Sequence, residues 1–444
     1  MARDSPPGRR QDGDERMTAG PLTLISAADL PPARRQALDD ETIRTAGQIV
    51  RNVQTGGEAA LRQHAERLGD LQPGQPLVIG KAELNEALSQ IDSETRALME
   101  RVAERIRAFA NAQLNSLSAF ELPIPGGAAT QCIDPVERAG CYAPGGRHPL
   151  PSSVLMTAIT ARVAGVKEVW VASPTPPPET LAAAAISRAD GLLAVGGAQA
   201  IAALAFGAGV PACDVIVGPG NRFVTAAKYL VSDRVGIDML AGPSELVVLA
   251  DESADASMIA ADLLAQAEHD PDARVILVAT SRSAIDAVNE HLAAQLEALP
   301  TAPVARQALS NGLAVLAGDM DEAVRVCDDI APEHLELHVG SPQRIAARVK
   351  HFGALFVGPG AAVVLGDYGA GPNHTLPTGG TARQTGGLSV FNFLRVRTSL
   401  RIDDTAAAEE MFKDAERLAR LEGLEAHARA AAIRRRTADE PPGA

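Results

Sequence analysis

The sequence predicts an α/β protein built on two parallel-sheet cores, with helical segments at both ends. After Glu137, short apolar or β-branched runs end in glycine or proline, and each is followed by a segment of helical length, which is the texture of consecutive βα units. From Leu30 to about Ala110, apolar residues instead recur three and four apart in a charged, alanine-rich background, as in amphipathic helices. The chain has 444 residues, and a single core seldom organises more than about 250, so about two or three domains are expected.

The elements follow in order. Ile43, Ile49 and Val50, and again Met99, Val102, Ile106 and Phe109, mark the N-terminal helices. A first sheet group runs through Glu168-Val-Trp-Val-Ala-Ser-Pro with a helix from Glu179, Leu192-Leu-Ala-Val-Gly-Gly with a helix from Ala198 to Phe206, and Asp214-Val-Ile-Val-Gly-Pro-Gly-Asn with a helix from Phe223 to Val231. Gly236 to Glu245 reads as a crossover. A second group comprises a strand from Leu246 to Ala250, a helix from about Asp255 to His269, a strand from Arg274 to Ala279, and strands at Ala354 to Val357 and Ala362 to Leu365. From about Thr405 the chain is helical and charged, and Arg434-Arg435-Arg436 is a solvated run that complements the helix dipole. The first 16 residues mix acids with arginines and have no apolar stretch, so they match neither a signal nor a transit peptide; the folded part is expected to start near Met17, and the last six residues to fray.

Composition narrows the function classes. Hydrophobic residues make up 46% and charged residues 22%, the balance of a soluble globular chain rather than a disordered one. The net charge of −14 and pI near 5.2 leave no basic field for phosphate backbones, so nucleic acid is not expected as a partner. Cys132, Cys141, Cys213 and Cys327 lie far apart with no CxxC pair, which suggests buried free thiols in a reducing, cytoplasmic compartment. The uncharged stretch from Gly191 to Cys213 is long enough to span a membrane, yet five glycines, Gln199 and Pro211 break it into a buried strand, a turn and a helix, so no membrane association is expected.

Four segments carry residues fit for chemistry. In Gln266-Ala-Glu-His269, positions three apart share a helix face, so two ligands can reach one metal; for this pair alone, a polar edge closing a helix before Asp270-Pro271 is the plainer explanation. In Ala331-Pro-Glu-His334-Leu, an acid and an imidazole follow a proline-fixed turn, and the imidazole suits proton transfer from an alcohol while a carboxylate raised by burial can activate water; a surface Glu-His pair is the plainer alternative. Residues 365–380 form a loop dense in glycine and proline that presents Asp367 and His374. In the tail, Glu422 and His427 would flank a site if the helix is regular, or simply be solvated. Gly218-Pro-Gly-Asn221, Cys141-Tyr-Ala-Pro-Gly-Gly146 and Val195-Gly-Gly-Ala-Gln199 are strand-end turns where a parallel sheet can hold a ligand, although tight turns alone also account for them.

Taken together, these segments, with Ala241-Gly-Pro-Ser-Glu245, Gly371-Pro-Asn-His-Thr-Leu-Pro-Thr378 and Glu422-Gly-Leu-Glu-Ala-His427, resemble the histidinol dehydrogenase family from about Leu24 to Arg436. The resemblance implies two incomplete Rossmann-like domains with parallel-sheet cores plus helical N-terminal and C-terminal extensions. It divides the chain into an extension (1–16), a helical region that begins the metal and substrate domain (17–135), an NAD-binding domain (136–240), a second Rossmann-like domain carrying metal and catalytic residues (241–385), and a C-terminal tail completing the partner's site (386–444). It further implies one zinc per subunit held by Gln266, His269, Asp367 and His427, and NAD held by Tyr142, Gln199 and Asn221. Substrate contacts fall to Ser244, Gln266, His269, His334, Asp367, His374, Glu422 and His427, and the catalytic bases are Glu333 and His334. The implied reaction is oxidation of L-histidinol to L-histidine through the aldehyde with two NAD, in a homodimer with swapped tails. Two segments depart from the family's habit: Arg147-His148-Pro149-Leu150 and Gln384-Thr385-Gly386. Competing readings are a related zinc- and NAD-dependent dehydrogenase of another small alcohol or diol, a metallohydrolase using Glu333, and a metal-dependent binding protein with no use for Glu333-His334.

Overall fold

The computed structural model describes residues 20–31, 38–145 and 149–435; the expected start at Met17, the N-terminal extension, Arg147, His148 and the last arginine of the run fall outside them. The chain begins with β1 (Thr23–Ser26), α1 (Asp40–Leu68), β2 (Val78–Gly80), α2 (Lys81–Gln90) and α3 (Ser93–Leu114). Helix α1 starts where the Asp39 carboxylate accepts the Thr42 N–H at 2.8 Å and stops at Gly69 in the left-handed region. The expected helices are there, but β1 and β2 are strands that the helical periodicity around them concealed.

Next come β3 (Phe120–Ile124), β4 (Gly127–Pro135), β5 (Arg138–Tyr142), α4 (Pro151–Val163), β6 (Glu168–Ala172), α5 (Pro178–Ile186), β7 (Gly191–Leu193), α6 (Gly197–Phe206), β8 (Val215–Val217), α7 (Arg222–Val231) and β9 (Gly236–Ile237). The first sheet has the order β2-β7-β6-β5-β8-β9, parallel except for β2. From β5 the chain moves outward through β6 and β7, then returns to place β8 on the other side of β5, so the strand order reverses between β5 and β8. Such a switch point opens a crevice at the carboxyl ends of the two strands. The uncharged stretch from Gly191 resolves into β7, a glycine turn and the buried helix α6, and no described helix is long and apolar enough to cross a membrane.

The second half contains β10 (Glu245–Ala250), α8 (Ala256–Ala267), β11 (Arg274–Ala279), α9 (Arg282–Ala298), α10 (Ala302–Leu309), β12 (Leu313–Leu316), α11 (Met320–Ile330), β13 (His334–His338), α12 (Pro342–Ala346), β14 (Ala354–Val357) and α13 (Val363–Tyr368). Its sheet is β1-β12-β11-β10-β13-β14, parallel throughout. Strands β10 and β11 read as unbroken apolar runs because helices cover both faces. The run expected as a strand from Ala362 to Leu365 is instead the start of α13; a short apolar run does not distinguish a buried strand from a buried helix turn, and here the first helical N–H, that of Val363, is taken by the buried Glu336 carboxylate at 2.8 Å.

The chain closes with β15 (Leu394–Ile402), α14 (Glu409–Leu421) and α15 (Glu425–Ala432). Strand β15 pairs antiparallel with β4, and β4 with β3, as a separate three-stranded sheet. Leu122 and Leu400 both lie opposite Ala129 in register, and together with Phe120 and Val396 they place four exposed large apolar side chains on one face. Helices α14 and α15 pack on each other, with Leu418, Leu421 and Leu424 exposed. All four cysteines are free; Cys141, Cys213 and Cys327 are buried as expected, whereas Cys132 on β4 is half-buried.

Candidate active site

The expected catalytic residues lie at the amino end of β13, beside the amino end of β10. Helix α11 ends at Ala331, whose φ of 48° is uncommon for a residue with a side chain. The sharp turn there, followed by Pro332, delivers Glu333 and His334 to the start of the buried strand β13. Gly353 closes this turn by donating its N–H to the Pro332 carbonyl at 2.9 Å, and a Cβ at that position would stand 2.6 Å from the Glu333 carbonyl oxygen. The surface alternative for the Glu-His pair is thereby overturned, since Glu333 and His334 are both buried.

The main chain of one residue, Glu245, orients both. The Glu245 N–H donates to Glu333 Oε2 at 2.7 Å, and the Glu245 carbonyl lies 3.0 Å from His334 Nδ1. A carbonyl only accepts, so Nδ1 carries the proton and Nε2 is the basic nitrogen. That Nε2 faces Asp367 Oδ1 at 4.0 Å, while Glu333 Oε2 and His334 Nδ1 are 3.7 Å apart. Burial lowers the His334 pKa, against the opposing pull of Asp367, so the ring is neutral and able to accept a proton near neutral pH. Burial raises Glu333 well above the ordinary carboxylate value; the Glu245 N–H opposes this, the Glu245 and Asp367 carboxylates reinforce it, and the Ser244 hydroxyl opposes it.

Glu245, the last residue of Ala241-Gly-Pro-Ser-Glu245, has no role that the sequence alone assigns. Its side chain accepts from Arg274 Nη1 at 2.7 Å and from the Gly379 N–H at 3.2 Å. Two charged residues opening adjacent buried strands, and paired in register, were the available signal.

Gln266 and His269 mark the end of α8. The helix stops at Ala267 rather than at His269, so His269 lies just beyond it. Gln266 is buried with its amide nitrogen unpartnered, whereas the His269 side chain is 40% exposed, with Nε2 3.9 Å from Asp367 Oδ2. Asp367 lies near the end of α13. Its carbonyl accepts from His374 Nδ1 at 3.1 Å, and His374 Nε2 lies 3.3 Å from the Ser153 hydroxyl of α4, which ties the loop after α13 to the first half of the chain. Burial lowers the His374 pKa.

Glu422 and His427 do not join this group within the chain. Both are exposed. Gly423, with φ of 76°, separates α14 from α15, so the geometry of five residues on a regular helix does not apply to them. Among the described residues, three His, Cys, Asp or Glu ligand atoms converge within 4.8 Å only at Asp262, Glu336 and His338.

Tyr142, Gln199 and Asn221 gather at the carboxyl ends of the first sheet. Tyr142 ends β5, and its hydroxyl accepts the Gly197 N–H at 3.1 Å. Gln199, in the first turn of α6, donates to Asp70 Oδ2 at 3.0 Å, and the same oxygen accepts the Gly196 N–H at 3.0 Å. Asn221 caps α7 through the N–H groups of Phe223 and Val224. Asp70 escaped the sequence reading because it lies in a loop far from these turns along the chain. The Gly218 turn is held by the buried pair Lys228–Asp238: Lys228 Nζ reaches the Gly218 carbonyl and Asp238 at 2.5 and 2.6 Å, and Asp238 accepts the Gly218 N–H at 2.7 Å. Gly218 adopts φ of 116°, and a Cβ there would collide with the Tyr142 carbonyl, so β5 and the β8 turn meet at the switch point only with glycine.

The family model for histidinol dehydrogenase matches residues 33–435. A histidinol dehydrogenase of Thermus thermophilus is 46% identical over 410 residues, covering 91% of this chain and 97% of that protein, and one of Methanosarcina mazei is 41% identical over 392 residues, covering 86% and 90%. The crystal structure of histidinol dehydrogenase from Elizabethkingia anophelis superposes with a TM-score of 0.87 at 29% identity, covering 94% of this chain and 98% of that one.

Proposed function

The chain belongs to the histidinol dehydrogenase family of oxidoreductases, and from that premise we propose that it oxidises L-histidinol to L-histidine through L-histidinaldehyde, in the cytoplasm, with two NAD and a zinc ion held by Gln266, His269, Asp367 and His427. The observation that carries this reading is the pairing of two bases on one residue's backbone: Glu333 and His334 are both oriented by the Glu245 main chain, beside Asp367. A four-electron oxidation of an alcohol needs two such groups.

The residues fit the two cofactors. The orphaned, buried amide end of Gln266 suits a metal ligand once the amide is turned so that its oxygen faces the ion. The 3.9 Å between His269 Nε2 and Asp367 Oδ2 is too long for a hydrogen bond and suits two ligands of one cation. At the other sheet, Tyr142, Gln199 and Asn221 surround the switch-point crevice. When bound, zinc anchors and orients the substrate, and each NAD accepts one hydride.

His334 Nε2 takes the hydroxyl proton as the first hydride leaves the alcohol carbon. Glu333 then takes a proton from a water whose oxygen adds to the aldehyde carbon, and loss of the second hydride from this hydrate gives the carboxylic acid, which releases its remaining proton to become the carboxylate. Ser244, His374 and the other expected contacts position the substrate. Because Glu422 and His427 are exposed on the α14–α15 hairpin, whose helices pack mainly on each other, we assign them to the site of a second copy. The exposed apolar face of β3 and β15 and the tail leucines supply surface for a homodimer with swapped tails.

The test is NADH formation by the purified chain with NAD and L-histidinol, against a panel of small alcohols and diols. Turnover confined to another alcohol would replace the substrate, and hydrolytic turnover without any nicotinamide would replace the reaction class.

A further inference from the structure

We propose that Asp262, Glu336 and His338 form a second metal site, for a divalent transition cation of the zinc type, distinct from the set at Gln266, His269 and Asp367.

Strand β13 alternates, so His334, Glu336 and His338 share one face. In register with them on β10 are Leu246, Val248 and Ala250, which pack in one apolar cluster with Ile259, Leu263 and Ala267 of α8. Helix α8 therefore covers this face. On α8, Asp262 and Gln266 lie four residues apart on one helical stripe, and His269 follows just past the helix end. A polar seam thus runs between α8 and β13. Its amino-end part holds the groups assigned above, and the part deeper in the layer holds Asp262, Glu336 and His338.

That deeper part is chemically incomplete. Glu336 is 0% and His338 4% exposed. Glu336 Oε1 accepts the Val363 N–H at 2.8 Å, but Glu336 Oε2 and His338 Nδ1 have no hydrogen-bond partner. His338 Nε2 stands 3.6 Å from Glu336 Oε2 and 3.8 Å from Asp262 Oδ2. These separations exceed a hydrogen bond and approach the roughly 3.3–3.6 Å between two ligands of a tetrahedral cation with bonds of about 2.0–2.2 Å. Among the described residues, no lysine or arginine pairs with either carboxylate, and two carboxylates sealed in an apolar layer need a cation or a proton. Burial, followed by the charge of Glu336, pushes Asp262 up to about 7.

One imidazole and two carboxylates suit zinc or manganese better than magnesium, which prefers oxygen and water, or copper(I), which prefers sulfur. Asp262, 14% exposed at its side chain, is the route in. Because Glu336 also holds the first N–H of α13, the cation would join α8, β13 and the helix that carries Asp367.

The experiment is zinc content per chain by inductively coupled plasma mass spectrometry on the full-length protein, stripped with chelator, reloaded with zinc and desalted. Two zinc ions per chain are expected. His338→Gln and Asp262→Asn should each remove one, His269→Ala should remove the other, and zinc should still raise the melting temperature of His269→Ala. A single zinc that His269→Ala abolishes, unchanged in His338→Gln and Asp262→Asn, overturns the proposal and leaves a proton-sharing cluster. A single zinc kept by His269→Ala but lost in Asp262→Asn upholds this site and instead removes zinc from the proposed catalytic set. Asp262→Asn, at the more exposed position, keeps the test open if His338→Gln misfolds.

Discussion

If the tail completes a neighbouring site, two inactive variants should restore each other. Within one chain, His269 and Asp367 stand 3.9 Å apart, yet the exposed His427 does not converge with them. Asp367→Ala and His427→Ala should each abolish zinc-dependent turnover as homodimers. In a mixed dimer, the site that uses Asp367 from the His427→Ala chain receives His427 from the Asp367→Ala chain and is intact, while the other site lacks both. Random exchange of equal amounts makes half of the dimers mixed, each with one good site of two, so activity should return to about a quarter of wild type. The assay is the initial rate of NADH formation after exchange is verified by native mass spectrometry of differently tagged chains. Verified exchange without recovery would show that each chain builds its own site, and the swapped-tail reading would fall.

Three further outcomes follow from the geometry. Glu333→Gln keeps an oxygen for the Glu245 N–H and should spare oxidation to the aldehyde while slowing aldehyde oxidation about 10²–10⁴-fold; His334→Ala should slow the first hydride transfer by a similar factor, and equal losses in both half-reactions for both variants would end this division of labour. Glu245→Gln leaves Arg274 without its charged partner and should cost about 1.5–3 kcal/mol of stability, read from chemical denaturation; no measurable change would deny that the pair braces the β10 start. For Asp190, burial alone would raise the pKa, but bonds from Lys81, Val169 N–H and Arg162 outweigh it and hold the carboxyl below its ordinary value. Its stabilisation is thus complete above the unfolded pKa, about 3.9, and fades as pH falls through the lower folded value. Asp190→Asn should therefore be destabilised by about 1–2 kcal/mol at neutral pH, with the gap to wild type closing below about pH 4; a gap that is independent of pH contradicts the charge-based account.

Much of the fold was readable because burial on both faces leaves a strong mark. Strands such as β10 and β11 are unbroken apolar runs, and their glycine and proline ends punctuate them. Strand β15 was not read, although Leu-Arg-Val-Arg-Thr-Ser-Leu-Arg-Ile alternates plainly; its arginines resemble the charged helices that follow, and its partner β4 lies more than 250 residues earlier. The start of α13 reads as a strand in the sequence because four apolar residues fit either state. At the site, Glu333 and His334 were found by type, but their burial was not, since it depends on β10 and α8 packing over β13. Glu336 and His338 drew no notice for the same reason. In His-Leu-Glu-Leu-His the polar residues alternate with leucines as on a half-exposed strand, yet both faces are buried, so only the packed helix reveals that the charges lie inside.

The central claim is that this chain performs both oxidations with zinc in place. The most direct measurement is the number of NADH formed per L-histidinol consumed, before chelation, after it, and after zinc is returned. The account predicts two NADH per histidinol, abolished by the chelator and restored by zinc. One NADH with aldehyde accumulating, or turnover indifferent to chelation once metal removal is verified, would contradict it.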